Sequence, residues 1–372
     1  MDELALAERL IAYDTSKDDG LRAAAEFVKG WLEARELRVE SREHEGLPLI
    51  IAEAGPPTGP LVVLHGHLDV VPAFAEQFVP RVEGDRLIGR GAYDMKGALA
   101  AMICAVNDAS QQDQVRVKLI CVPDEESENV ESRSTDVLVK QGIEADFAIT
   151  GEPTDLHIGV QAKGVLALRL EVIGTAAHGS TPWLGDNSIL KAHDIYRRIE
   201  TLPFSRQSSD LFDRPSINLA RISGGDAFNK VPDRCLIDVD IRYLPGQDPE
   251  LILEQIERIA DLRVVRKFHR VPAIVSRQNR YVLALRAAVS SIRDGEALSI
   301  GRDGASDAIS FLEAGIPAVE FGPVGGGHHG PREWVSISSL SSYRSALSSF
   351  ITGLPSYLDE QAPQPQLRAV EG

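Results

Sequence analysis

The chain has 372 residues, 43% of them hydrophobic and 25% charged, ordinary proportions for a globular protein with core enough for two domains. Its 39 basic and 55 acidic residues give a formal net charge of -16, which makes nucleic acid and anionic membrane surfaces poor candidate partners, since both require a basic face. The acidic start MDELALAERLIAYDTS is unlike a secretory signal, no run reaches the roughly 18 apolar residues of a membrane span, and Cys104, Cys121 and Cys235 are odd in number, so a cytoplasmic chain with reduced thiols is expected.

Periodicity predicts helices over 3–13 and 20–35, then strands at LPLIIAEA (47–54) and PLVVLHGHLDV (60–70). A helix over 94–109, a strand over 115–122, a helix near 131–141 and a short strand over 146–150 follow. Strands separated by helices, without hairpin signals between them, predict an α/β sheet covered on both faces. From 164 the rhythm changes to strand 164–174, helix 187–202, strands 215–225 and 234–244, helix 248–260 and strand 262–268. That order is βαββαβ, the ferredoxin-like pattern. After about 275 the α/β signals resume with helices near 280–292 and 305–314, a strand at 317–321 and a terminal helix over 336–353. The proline- and polar-rich tail EQAPQPQLRAVEG is expected to be disordered. The predicted fold class is therefore α/β, a mixed sheet covered by helices, discontinuous over 1–163 and 275–372, with a ferredoxin-like domain inserted over 164–274.

Polar residues gather at the carboxyl ends of the predicted strands, where open α/β sheets bind ligands. In HGHLD, His65, His67 and Asp69 share one side of an extended segment. Asp69 suits the carboxylate that fixes the tautomer of a ligating His67. Asp94 follows the glycine-rich GRGAY and opens a helix, where a plain N-cap is an equally good reading. In PDEES the neighbours Glu125 and Glu126 repel one another unless cations sit beside them. Glu152 in TGEPTD is a turn residue or a ligand, and His328 and His329 share the loop GPVGGGHHGPREW. This mixed nitrogen and oxygen set suits zinc, cobalt or manganese. A two-metal hydrolase needs a bridging carboxylate, a histidine and a carboxylate for each metal, and a base for the water, and the inventory matches.

HGHLDVVP, GRGAYDMKG, PDEES, GEPT and GPVGGGHH follow the order and spacing of the M20 metallopeptidase family over about 65–353, and the chain most resembles its acetylornithine deacetylase branch. The resemblance implies an α/β metal domain interrupted by a ferredoxin-like dimerisation domain, hence a homodimer. It implies two divalent metal ions, zinc or cobalt, bridged by Asp94, with His67 and Glu152 completing one site and Glu126 and His329 the other. His329 is chosen over His328 because HGPRE, ending at Glu333, reproduces the family's His-x-x-x-Glu. Glu125 is implied to be the general base. In AHGSTPWLGDN, His178 is implied to reach the partner subunit's site and stabilise an oxyanion. Asn229 in FNKVPD and Arg242 in DIRYLPG are implied to bind substrate, the Arg242 guanidinium holding the substrate's carboxylate. Without the resemblance, Arg242 reads as a surface strand residue. The implied substrate is a small N-acetyl-L-amino acid, citrulline ahead of ornithine, in arginine biosynthesis. Succinyl-diaminopimelate and small peptides are the competing amides.

Three departures stand out. The segment between Val71 and Arg90 is short and lacks the family's tryptophan-proline stretch, ESENVESRST replaces a glycine-rich continuation, and DMKGA has alanine where a second glycine is common. The first two would reshape the pocket rim and leave the ligand set intact.

Overall fold

A computed structural model of the chain describes residues 2–127, 133–292, 298–304 and 306–360. They divide into two compact units, Met1–Val160 with Val275–Ser299 and Asp307–Gly372, and Gln161–Ile274 with Ile300–Ser306. The expected inserted domain ends at 274, so the short return Ile300–Ser306 was not anticipated in the second unit.

Asp2 caps helix α1 (Glu3–Ile11) by accepting the Ala5 N–H at 2.9 Å. Helix α2 (Asp18–Glu33) buries Leu21, Ala24, Val28, Trp31 and Leu32, a stripe of helical period. Strands β1 (Arg38–His44) and β2 (Leu47–Ala54) form a hairpin turning on Glu45 and Gly46, both at positive φ. This hairpin was missed because glutamate stands where the usual asparagine or aspartate would announce a two-residue turn. Strand β3 (Leu61–His67) precedes a small hairpin, β4 (Arg81–Glu83) and β5 (Arg86–Ile88). Helix α3 (Gly97–Ala109), β6 (Arg116–Val122), α4 (Ser134–Lys140), β7 (Phe147–Thr150) and the unexpected β8 (Ile158–Ala162) follow. Positions 131 and 132 of the predicted fourth helix lie outside the described residues.

The second unit contains β9 (Gly164–Ile173), α5 (Ser188–Ile199), β10 (Ser216–Gly224), β11 (Arg234–Tyr243), α6 (Pro249–Glu257) and β12 (Leu262–Arg270). Its antiparallel sheet runs β10-β11-β9-β12, the ferredoxin-like order expected. Alternate residues Leu166, Leu168, Leu170 and Val172 of β9 pack with Ile237, Val239 and Ile241 of β11 against Ile195, Ile199 and Ile256 of the helices. Each such side chain contributes about 1.5–3 kcal/mol by leaving water. The other face is ionic, with Arg169 donating twice to Asp238 at 2.6 and 2.8 Å.

The chain then continues through β13 (Ala273–Ile274), α7 (Arg280–Ser290), β14 (Ser299–Arg302), α8 (Ala308–Glu313), β15 (Ala318–Glu320), β16 (Gly325–Gly326), β17 (Trp334–Ser336) and α9 (Ile337–Glu360). Position 305 of a predicted helix and the tail from 361 lie outside the described residues. The main sheet of the first unit is mixed, in the order β1-β2-β6-β3-β7-β15-β8, with β6, β3, β7 and β15 mutually parallel. On one face Leu49, Ile51, Val63, Ile120, Val122 and Ala148 meet Leu138 of α4 and Phe311 of α8. On the other, Gly66 admits α3 and the turn before it, since a Cβ there would stand 2.5 Å from Met95 Cε and 3.3 Å from Leu99 Cδ1. Register aligns the parallel strand ends, pairing His67 with Val122, His65 with Thr150, and Thr150 with Glu320. The residues that follow these ends therefore emerge along one sheet edge.

Candidate metal centre

His67 ends β3 almost fully buried, its Nε2 3.1 Å from Asp94 Oδ1 and 3.9 Å from Glu152 Oε1. Its Nδ1 lies 2.9 Å from the main-chain carbonyl of Asp69 and 3.4 Å from the Asp69 carboxylate. Both Asp69 oxygens instead accept backbone N–H groups, from Glu125 at 3.2 Å and Glu126 at 2.7 Å. Asp69 thus ties the end of β3 to the loop after β6. Burial works against charge on His67, but hydrogen bonds with Asp69 and Asp94 prevail and hold its pKa well above the usual imidazole value.

Asp94 is not the helix N-cap considered above. It has extended backbone angles inside the turn Ala92–Lys96, and α3 begins only at Gly97. Glu333 builds that turn. It is 1% exposed, accepts from Arg90 Nη1 at 2.7 Å, and takes the backbone N–H groups of Gly91, Tyr93 and Asp94 at 2.9–3.0 Å. With its amide held from behind, the Asp94 carboxylate receives His67 on Oδ1 and both His328 and His329 on Oδ2. Burial pushes its pKa up, and the three imidazoles outweigh that and hold it well below the carboxylate range.

The doublet after β6 lies in a turn, and its two carboxylates go to different partners. Glu126 Oε1 lies 2.8 Å from His329 Nε2, which is also 3.2 Å from Asp94 Oδ2. His329 therefore touches both carboxylates, whereas the hydrogen bond of His328 is to Asp94. Those contacts hold His329 up, at about 10. Glu125 turns to Arg133, whose Nη1 donates to its Oε1 at 2.7 Å. Burial raises the Glu125 pKa to about 8, with Asp307 adding to the shift and Arg133 opposing it. Glu152 is raised by burial and by the negative charge of Asp94.

Ligand atoms of His67, Asp94 and Glu152 lie within 4.8 Å of one another, as do those of Asp94, His328 and His329, and of His67, Glu125 and Glu126. Three imidazoles among crowded carboxylates make a set of oxygen and nitrogen donors that fits divalent cations, and the raised histidines mark the excess negative charge such cations would neutralise. Arg133, Asp307 and the anchoring role of Glu333 escaped sequence reading. Glu333 carried a signal, its spacing from His329, while Asp307 in GASDA had none.

The remaining expected residues belong to the second unit. His178 is exposed, its Nδ1 2.7 Å from Ser180 Oγ, and it pairs across a short bridge with Lys230. The exposed Asn229 sits beside it, its carbonyl accepting the Gly179 N–H at 2.7 Å. Arg242, on β11, donates from Nε to Asp240 at 3.0 Å.

Residues 63–353 match the family model described as peptidase family M20/M25/M40. An acetylornithine deacetylase of Myxococcus xanthus is 30% identical over 84% of this chain and 87% of its own length. A putative succinyl-diaminopimelate desuccinylase DapE of Mycobacterium tuberculosis is 30% identical over 70% of this chain and 73% of its own. A probable carboxypeptidase of Aspergillus terreus is also 30% identical, over 62% of this chain, and the match spans 58% of that protein's length. In fold, the chain superposes on aminopeptidase PepT from Bacillus cereus with a TM-score of 0.77 at 18% identity, covering 95% of this chain and 98% of that one. With that match spanning most of its residues, the chain belongs to peptidase family M20/M25/M40.

Proposed function

We propose that the protein is an amide hydrolase that removes the acyl group from an N-acyl-L-amino acid with the help of two divalent cations, zinc or cobalt. The observation that carries this reading is the convergence of His67, Asp94, Glu126, Glu152 and His329 at one sheet edge, with Glu125 beside them. His67, Asp94 and Glu152 would hold one cation, and Asp94, Glu126 and His329 the other. Bound there, the cations supply Lewis acidity toward the amide carbonyl and toward water. Glu125 accepts the proton of the attacking water and returns it to the departing amine. Asp69 keeps His67 and the backbone of both glutamates in place. His178, contributed by a second copy in a homodimer, donates to the oxyanion, while Arg242 and Asn229 bind the amino-acid part.

The substrate we assign is N-acetyl-L-citrulline, in a cytoplasmic enzyme of arginine biosynthesis. Its support is the motif resemblance within the acetylornithine deacetylase branch, whereas the long match to the Myxococcus protein named acetylornithine deacetylase favours N-acetyl-L-ornithine. N-acetyl-L-ornithine and N-succinyl-diaminopimelate are the rival substrates, the second favoured by the mycobacterial relative. Metal analysis combined with side-by-side hydrolysis of the three amides tests the reading. We expect about two cations per chain and fastest turnover of acetylcitrulline. Glu125→Ala should keep its metal and lose at least about 100-fold in kcat. Full activity in that variant, or activity without any metal, would overturn the mechanism.

A further inference from the structure

The stretch ESENVESRST, which departs from the family pattern, contains Arg133, and Arg133 turns back onto Glu125. Its Nη1 donates to Glu125 Oε1 at 2.7 Å and to Asp307 Oδ1 at 3.0 Å. The Arg133 side chain is 13% exposed and that of Asp307 only 1%. Asp307 is itself pinned on its other oxygen, Oδ2, by Thr135 Oγ1 at 3.3 Å, and His65 Nε2 lies 2.9 Å from the same hydroxyl. Next in the chain, Ser134 donates its N–H and its hydroxyl to Asp124 Oδ2 at 2.8 and 2.9 Å. Arg133 and Ser134 thus hold the neighbouring side chains of Glu125 and Asp124.

Glu125 is therefore held twice, by its N–H on Asp69 and by one side-chain oxygen on Arg133. A general base must present an oxygen within hydrogen-bond reach of the water, and an error of about 1 Å in placement costs roughly 100-fold in rate. A glutamate side chain left to itself samples several rotamers. Arg133 removes that freedom by committing Oε1, so Oε2 is the oxygen left for water. Arg133 is a poor receptor for an anionic substrate, because its guanidinium is already engaged by the carboxyl groups of Glu125 and Asp307. We propose that Arg133, anchored by Asp307, is a positioning residue that fixes the Glu125 carboxylate for proton transfer, an inference that rests on reading Glu125 as the base.

The test uses the metal-loaded full chain and compares Arg133→Gln, Arg133→Lys, Asp307→Asn, the Arg133→Gln/Asp307→Asn pair and Glu125→Ala. Arg133→Gln should lower kcat by about 10- to 100-fold with KM held within about twofold and metal content unchanged. Arg133→Lys, which keeps the charge without the planar fork, should recover part of that loss. Asp307→Asn should act in the same direction, and the double variant should be no slower than Arg133→Gln alone, since Asp307 works through Arg133. A crystal structure of metal-loaded Arg133→Gln should show Glu125 in a different rotamer. Unchanged kcat in Arg133→Gln, or a loss confined to KM, overturns the proposal. So do multiplicative effects in the double variant. If Arg133→Gln does not fold, Arg133→Lys and Asp307→Asn carry the same comparison. An active Glu125→Ala defeats the underlying reading of the base, whereas an inactive Glu125→Ala beside a normal Arg133→Gln defeats only the positioning role.

Discussion

Glu333 contributes no atom to the three donor groups and yet determines where Asp94 points. Its carboxylate sits at the back of the turn, gathering three backbone N–H groups and the Arg90 guanidinium. Glu333→Gln would place an NH2 group against donors that need an acceptor, leaving buried N–H groups unsatisfied. We expect cation affinity to fall about 10- to 100-fold, read by competition with a chelator, with a lower melting temperature in the metal-free protein as well. At this scale the sequence was legible wherever chemistry is local. His67, Asp94, Glu152 and the pairs Glu125–Glu126 and His328–His329 were each named from a strand end or a glycine-rich turn, and their ligand atoms fall in three overlapping groups. The choice of Glu126 and His329 within the pairs came from the family resemblance. Asp307 was illegible because its role depends on Arg133, a residue 174 positions earlier in the chain.

Among the elements, strands β2, β6, β7, β9, β10 and β11 could be read to within about a residue, because alternation or an unbroken apolar run is a direct image of burial. The β1–β2 hairpin and β8 could not, the first for its atypical turn and the second because Gly159 and Gln161 interrupt its short apolar run. The helices are tied by contacts that periodicity does not reveal. Arg344 of α9 donates twice to Asp108 of α3, at 2.8 Å each, and once to Glu3 of α1 at 2.8 Å. Arg344→Met should cost about 1–3 kcal/mol, seen as a lower melting temperature with metal content and kcat unchanged. Burial tends to raise the Glu3 pKa, but hydrogen bonds from Ser341 and Arg344 bring it below the ordinary 4.5. A carboxyl depressed on folding stabilises above its unfolded pKa, and that contribution disappears as pH falls through the folded value. The gap between wild type and Arg344→Met should therefore narrow below about pH 4.5.

For the whole molecule, five of the 55 acidic residues, Asp69, Asp94, Glu125, Glu126 and Glu152, lie in or beside the three donor groups. Among the described residues, no helix is long and apolar enough to cross a membrane. The candidate cation site lies wholly within the first unit. Adding zinc or cobalt to chelator-treated protein should raise the melting temperature by several degrees, since a ligand at about 100 times its Kd adds roughly 2.7 kcal/mol. Hydrogen exchange should show new protection at the ends of β3, β6 and β7 and little in β9–β12. Equal protection throughout both units would argue that the cations bind elsewhere.

The aligned strand ends have a further consequence for how the protein is made. Each donor group hangs from a different strand or loop, and the first and last, His67 and His329, are separated by most of the chain. A ribosome-bound intermediate that has not yet released the loop holding His328 and His329 cannot close the second donor cluster. Completion of that cluster then belongs to the end of maturation, after the parallel strands have found their register, and an arrested nascent chain should bind less metal than the finished protein.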